Sequence, residues 1–284
     1  MNVGFLGLGA MGAPMASRIC GTFPISVYNR NPDRARDLAG ATVARTPREC
    51  VQNADVVVTM LSDAAALDAV LSGDDGALAG LRAGAVLVEM STSGRRAALA
   101  IAARVAERGA GFVDAPVSGT VGPAQRGELL AFAGGSLEDV ERARPVLERM
   151  CQRILHVGGV GQGQVMKVAL NGVGAHHLLG FVSMLALAER AGIAREIAIE
   201  AFTQGAFATP SYIGKKSKVL ARDWSPQFSL DLTRKDIELN LELQEDVSLV
   251  LPVTREIEKA IERGIEEGLG PKDLFSLEEI FRNT

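Results

Sequence analysis

The stretch Val3-Gly4-Phe5-Leu6-Gly7-Leu8-Gly9-Ala10-Met11-Gly12 decides the fold. A short apolar run of strand type leads into glycines at positions 7, 9 and 12, and a helical segment follows over 13–19. The next β-rich run, 25–29, completes a β-α-β unit. In such a unit the first glycine permits a tight turn, the second lets the backbone approach a pyrophosphate, and the third lets helix and strand pack closely. The free N–H groups at the helix N-terminus then hold the phosphates. Glycines also mark ordinary turns, so the spacing alone is weak; the strand before it and the helix after it give the pattern its meaning.

Working outward, further candidate strands lie at 54–61, 85–90, 111–116, 129–134 and 153–157, alternating with helical segments. This rhythm predicts a parallel sheet wrapped by helices. The run Ala54-Asp55-Val56-Val57-Val58-Thr59-Met60-Leu61 is almost continuously apolar, as suits a strand covered on both faces. After Gly163 the pattern changes: 165–192 reads as one long helix, and only helical periodicity follows, with breaks at 205–210, 225–228, 251–252 and 268–271. The expected class is α/β, a doubly wound N-terminal sheet over 1–162 and an all-α domain over 163–284.

Composition excludes several function classes. The chain has 284 residues, 47% hydrophobic and 23% charged, with a formal net charge of -4. Basic residues alternate with acidic ones, as in Arg255-Glu256-Ile257-Glu258-Lys259, so the charge runs read as solvated helix faces and no nucleic-acid partner is expected. Glycines interrupt the apolar opening, which therefore reads as a strand rather than a secretion signal. No uninterrupted run reaches the roughly 18 apolar residues of a membrane span. Three cysteines, Cys20, Cys50 and Cys151, form neither a metal pattern nor a complete disulfide framework, and a cytoplasmic location is expected.

Which dinucleotide binds is read at the end of the second strand. An acid there would accept hydrogen bonds from a ribose 2′-hydroxyl and repel a 2′-phosphate. The chain instead reads Tyr28-Asn29-Arg30-Asn31, a neutral amide followed by a guanidinium that can pair with a phosphate through parallel charged hydrogen bonds. Arg30 is also open to the reading of a solvated loop residue. The expectation is NADP, with NAD as the weaker alternative.

Two further constellations carry chemistry. Asp114-Ala115-Pro116-Val117-Ser118-Gly119-Thr120 follows a strand, and its Ser-Gly-Thr turn offers backbone N–H groups and two hydroxyls suited to a carboxylate; an ordinary proline-held loop reads as well. Gly161-Gln162-Gly163-Gln164-Val165-Met166-Lys167-Val168-Ala169-Leu170-Asn171 opens the long helix, with Lys167 and Asn171 four apart on one face. A lysine on an apolar helix has either a partner, a job, or a stem that snorkels to solvent. An ammonium in such a place can give a proton to a carbonyl oxygen as hydride arrives.

Taken together, these elements in this order resemble the β-hydroxyacid dehydrogenase family, which includes 3-hydroxyisobutyrate dehydrogenases, tartronate semialdehyde reductases and glyoxylate/succinic semialdehyde reductases. The resemblance spans essentially the whole chain, from Gly4–Gly12 through Asp114–Gly119 and Gly161–Asn171 to Lys235-Asp236. It implies a Rossmann domain, a long interdomain helix and a helical second domain, assembled as a homodimer or homotetramer. It implies Lys167 as the acid/base, Ser118, Gly119 and Thr120 at the substrate carboxylate, and Asn171 as a substrate contact. Lys235 and Asp236 correspond to residues near the nicotinamide, and Met60, Leu61, Ser62 and Thr92 to positions touching the dinucleotide, beside Gly7 to Gly12 and Asn29 to Asn31. The substrate implied is a small carboxylate-bearing aldehyde or hydroxy acid.

Three departures qualify the match. The family's common Ser-Gly-Gly is Ser118-Gly119-Thr120 here, a variant associated with the semialdehyde reductase branch. A tryptophan and tyrosine of some members correspond to Phe207 and Tyr212, leaving a more apolar substrate wall. A paired Asn-Asn of many members is Asn171-Gly172. Two rivals remain beside hydride transfer to a semialdehyde: imine reduction by the same architecture, where relatives generally lack the helix lysine, and a non-catalytic NADP-binding protein.

Overall fold

The computed structural model describes residues 1–282. Nine strands form one sheet: β1 (Val3–Leu6), β2 (Ile25–Tyr28), β3 (Thr42–Val43), β4 (Val56–Thr59), β5 (Val86–Glu89), β6 (Gly111–Asp114), β7 (Val117–Ser118), β8 (Leu129–Gly134) and β9 (Cys151–Gly158). The first six run parallel in the order β3-β2-β1-β4-β5-β6, the doubly wound arrangement expected from the alternating pattern. Beyond β6 the sheet departs from a purely parallel reading. β8 pairs antiparallel with β6 and with β7, while β9 pairs parallel with β8. β3 and β7, two residues each, are too short to carry a periodic signal and were not expected from the sequence.

β1, β4 and β5 are buried along their whole length, which explains their unbroken apolar character. Helices α1 (Gly12–Ile19), α2 (Pro47–Val51), α3 (Ala64–Leu71), α4 (Ala77–Gly80), α5 (Arg95–Ala106), α6 (Val121–Arg126) and α7 (Leu137–Met150) connect them. α1 turns Gly12, Met15, Ala16 and Ile19 inward, the spacing of one helical face. The sheet thus has a core on each side, one containing Phe5, Val58, Val88 and Met15, the other Leu6, Val57, Leu87 and Leu67.

The long helix is α8 (Gln162–Arg190), starting three residues before the expected 165. The chain divides inside it into two units, one ending at Val168 and one starting at Ala169. In the second unit α8 is followed by α9 (Arg195–Gln204), α10 (Pro210–Ala221), α11 (Leu230–Asp246), α12 (Pro252–Glu266) and α13 (Glu278–Arg282). Each expected break falls between helices, and Pro210 and Pro252 occupy first-turn positions, where a missing N–H costs nothing. By length and composition α8 is apolar enough to cross a membrane. Its positions Ala175, Leu178, Val182 and Leu185 recur every three or four residues and join the core of the second unit with Phe181, Ile199, Ile237 and Leu277.

Candidate active site

Strand order reverses at β1, so the loops after β1 and β4 flank the point where ligands enter sheets of this kind. The three glycines of the first loop have different reasons. Gly7 has φ +103°, and a Cβ there would stand 2.3 Å from Met60 O. A Cβ on Gly12 would stand 2.0 Å from Gly7 O. Both are demanded by the protein's own packing. A Cβ on Gly9 would meet nothing within 4 Å, so this glycine leaves open space at the surface of the loop. That is the fit expected of a backbone approached by a pyrophosphate, and α1 behind it has no acidic residue in its first turn and no side-chain cap.

The neighbouring loops are stitched to this one. Met60 N donates to Leu6 O at 2.9 Å, and Leu61 N donates to the Ser91 hydroxyl at 2.9 Å. Ala10, Ser62 and Arg30 are exposed, Leu8 is buried, and Met11, Met60, Leu61 and Thr92 are half-buried. The Leu8 N–H donates to Asn29 Oδ1 at 3.0 Å, and Asn29 Nδ2 donates to Asn31 O at 2.9 Å. Asn31 Oδ1 in turn accepts from Asp33 N. Both asparagines therefore organise the loop, and Arg30 between them faces solvent.

Ser118 ends β7, Gly119 has φ +137°, and Thr120 precedes α6 without capping it through its side chain. Gly119 and Thr120 are exposed and Ser118 half-buried.

Beneath these loops lies a buried polar cluster that sequence reading missed. Glu89 ends β5 and Asp114 ends β6, in register with each other, and both are fully buried. Asp114 Oδ1 accepts from Gly161 N at 2.7 Å and Oδ2 from Gln164 N at 2.8 Å, tying down the start of α8. Glu89 accepts from Ser91 N at 2.7 Å, the Ser93 hydroxyl at 3.0 Å and Gln164 Nε2 at 2.8 Å. Burial pushes Glu89 up to about 7, against the opposing hydrogen bonds of Ser91 and Ser93. Burial likewise raises Asp114 to about 6, against the N–H groups of Gly161 and Gln164. A charged residue closing an apolar strand, as in Val86-Leu87-Val88-Glu89, was the available signal. Lys167, half-buried, lies one turn beyond Gln164.

In the second unit, Asn171 Nδ2 donates to Asp236 Oδ2 on α11 at 2.7 Å, bringing together two residues expected at the site. Lys235 Nζ lies 3.6 Å from Asp236 Oδ1. A Cβ on Gly172 would stand 2.7 Å from Asn240 Nδ2, so the space a second asparagine would need is already taken by another amide. Phe207 and Tyr212 have opposite surroundings. Phe207 is 93% exposed, whereas Tyr212 is buried against Phe181 and Phe275 and its hydroxyl donates to His177 O at 2.6 Å.

Comparison with known proteins agrees with this geometry. Residues 2–158 match the family described as the NAD binding domain of 6-phosphogluconate dehydrogenase, and residues 161–279 match that described as NAD-binding of NADP-dependent 3-hydroxyisobutyrate dehydrogenase. The chain belongs to the β-hydroxyacid dehydrogenase family. It is 30% identical to glyoxylate/succinic semialdehyde reductase 1 of Arabidopsis thaliana, with 98% of each chain covered. It is 32% identical to the NAD-dependent L-serine dehydrogenase of Pseudomonas aeruginosa, covering 100% of this chain and 98% of that one. Among solved structures, 3-hydroxyisobutyrate dehydrogenase of Salmonella typhimurium superposes with a TM-score of 0.89 at 26% identity, covering 99% of both. As a member of this family the protein is an oxidoreductase that uses a nicotinamide cofactor.

Proposed function

We propose that the protein is an NADP-dependent oxidoreductase that interconverts a short semialdehyde acid with the corresponding β- or γ-hydroxy acid, or glyoxylate with its hydroxy acid, by hydride transfer. The observation that carries this reading is the anchoring of Lys167: the helix turn that bears it is hydrogen-bonded to the strand ends of the unit that holds the dinucleotide loop. Bound NADPH supplies a hydride. The residues of the chain do the rest. Ser118, Gly119 and Thr120 bind the substrate carboxylate, and fixing that end sets the carbonyl carbon in the path of the hydride. As the C=O bond is reduced, negative charge builds on its oxygen, and Lys167 transfers a proton from Nζ to that oxygen. Asn171, its amide oriented by Asp236, holds the substrate on the same helix face as Lys167. Phe207 supplies an apolar side chain for the substrate, while Tyr212, packed on Phe181 and Phe275, supports the fold of the second unit.

NADP is favoured over NAD because no acid stands at position 29 and because both Asn29 amide groups are already engaged with Leu8 and Asn31. Arg30 is left facing solvent, ready for a 2′-phosphate. Assembly as a homodimer or homotetramer is supported by apolar side chains exposed on the second unit, among them Met184, Leu187, Ile197 and Val250. The three free cysteines suit a reducing cytoplasm.

The reading is tested by following NADPH oxidation with glyoxylate, succinic semialdehyde, tartronate semialdehyde and methylmalonate semialdehyde, then repeating the panel with NADH. Turnover of at least one substrate, with higher kcat/KM for NADPH, is expected. No turnover across the panel, or equal efficiency with NADH, would overturn the substrate class or the cofactor preference respectively.

A further inference from the structure

The side chain of Gln164 is wholly buried and uses its full hydrogen-bonding capacity. Nε2 donates to Glu89 Oε2 at 2.8 Å and to Ser91 O at 2.9 Å. Oε1 accepts from Ser93 N and from Gly94 N, each at 3.1 Å. Its own backbone N–H donates to Asp114 Oδ2 at 2.8 Å. One residue on the first turn of α8 is thus fastened at five points to the ends of β5 and β6 and to the loop containing Thr92. Two donors and two acceptors all in use also fix which way the amide points, since a flip would set N–H against N–H.

We propose that Gln164 is a positioning residue that holds the proton donor Lys167 in register with the Ser91–Ser93 loop. The inference rests on the role of Lys167 proposed above. Lys167 follows Gln164 by three residues, about 4.5 Å along the helix axis, so the turn moves as one piece. Thr92 lies between Ser91 and Ser93, both held by the same cluster, and corresponds to a family position touching the dinucleotide. The carboxamide therefore spans the two places from which hydride and proton must arrive together. A displacement of about 1 Å between reacting groups can cost on the order of 100-fold in rate, so a clamp of this kind acts on turnover more than on binding.

The test compares Gln164→Leu, Gln164→Glu and Lys167→Ala in the full-length protein. Each is measured for kcat, KM, NADPH affinity by fluorescence, and amide hydrogen exchange over residues 161–167. Gln164→Leu is expected to lower kcat by about 10-fold or more, to leave NADPH affinity within about threefold, and to speed exchange in the first turn of α8. Gln164→Glu keeps the acceptors for Ser93 and Gly94 but must share a proton with Glu89. It is expected to restore turnover at acidic pH and lose it as pH rises, a profile that a space-filling role would not produce. A kcat for Gln164→Leu within twofold of the parent, or unchanged exchange over 161–167, overturns the proposal. Should Gln164→Leu fail to fold, the pH profile of Gln164→Glu decides alone. If Lys167→Ala leaves turnover intact, the role of the lysine fails. Exchange over 161–167 still reports separately whether Gln164 holds the turn.

Discussion

The buried acid Glu89 in the first unit and the buried acid Glu278 in the second each anchor a cluster, and the two clusters are built on opposite principles. In the first unit Glu89 takes its hydrogen bonds from Ser91, Ser93 and Gln164, all neutral, and its carboxyl is raised to about 7. In the second unit Glu278, fully buried, meets the guanidinium of Arg195 at 2.5 and 2.7 Å. Arg195 also reaches Glu189 at 3.0 Å and Val219 O at 2.6 Å, and a second guanidinium, Arg222, stands 3.5 Å from Glu189 and 3.8 Å from Glu278. A buried acid answered by a cation locks helices together with its charge balanced. A buried acid answered only by dipoles keeps a displaced pKa, and such groups concentrate where a fold does chemistry. The first cluster joins the ends of β5 and β6 to the Ser91–Ser93 loop and the start of α8; the second ties α13 to α9.

The contrast can be broken most forcefully in the second unit. Arg195→Leu removes both short guanidinium bonds of Glu278 and leaves it only Arg222, 3.8 Å away, so it should lower unfolding stability by about 3 kcal/mol while activity per folded molecule stays within about twofold. Denaturant unfolding measures this, and a loss under about 1 kcal/mol would show that the pair is no lock.

A smaller effect is expected from pH in the first unit. The folded-state pKa of Glu89 lies above its usual 4.5, so its contribution to stability is full below that value and is lost as pH rises through about 7. Glu89→Gln removes this dependence. Its melting temperature relative to the parent should therefore rise with pH across that window, whatever the constant offset from losing an acceptor. A difference independent of pH would mean that Glu89 titrates as an ordinary carboxyl.

Arg30→Ser, at an exposed charge outside both clusters, should have the smallest effect. It should lower kcat/KM for NADPH by about 10-fold and leave NADH nearly unchanged, which sharpens the distinction between charges that hold the fold and charges that face a ligand. Equal losses with both cofactors would remove Arg30 from 2′-phosphate recognition.

Much of this molecule is legible in its sequence because short-range rules govern those parts. The β1 turn, the continuous burial of β4 and the proline-marked helix starts each follow from neighbouring residues. The antiparallel placement of β8 does not, because it depends on how β7 turns back after only two residues. The Glu89–Gln164 pair is separated by 75 positions, and no spacing rule connects them. Gly172 is explained by a residue far along the chain, Asn240, whose amide takes the space beside it. Phe207 and Tyr212, five residues apart, were expected to share one wall, yet one lies in a loop open to solvent and the other in the aromatic core.

The most direct measurement of the central claim is single-turnover reduction by Lys167→Ala, with NADPH affinity determined on the same sample. The account predicts that affinity is kept while the rate falls by roughly 100-fold or more, as loss of a general acid requires. An unchanged rate, or a loss fully explained by weaker NADPH binding, would contradict it.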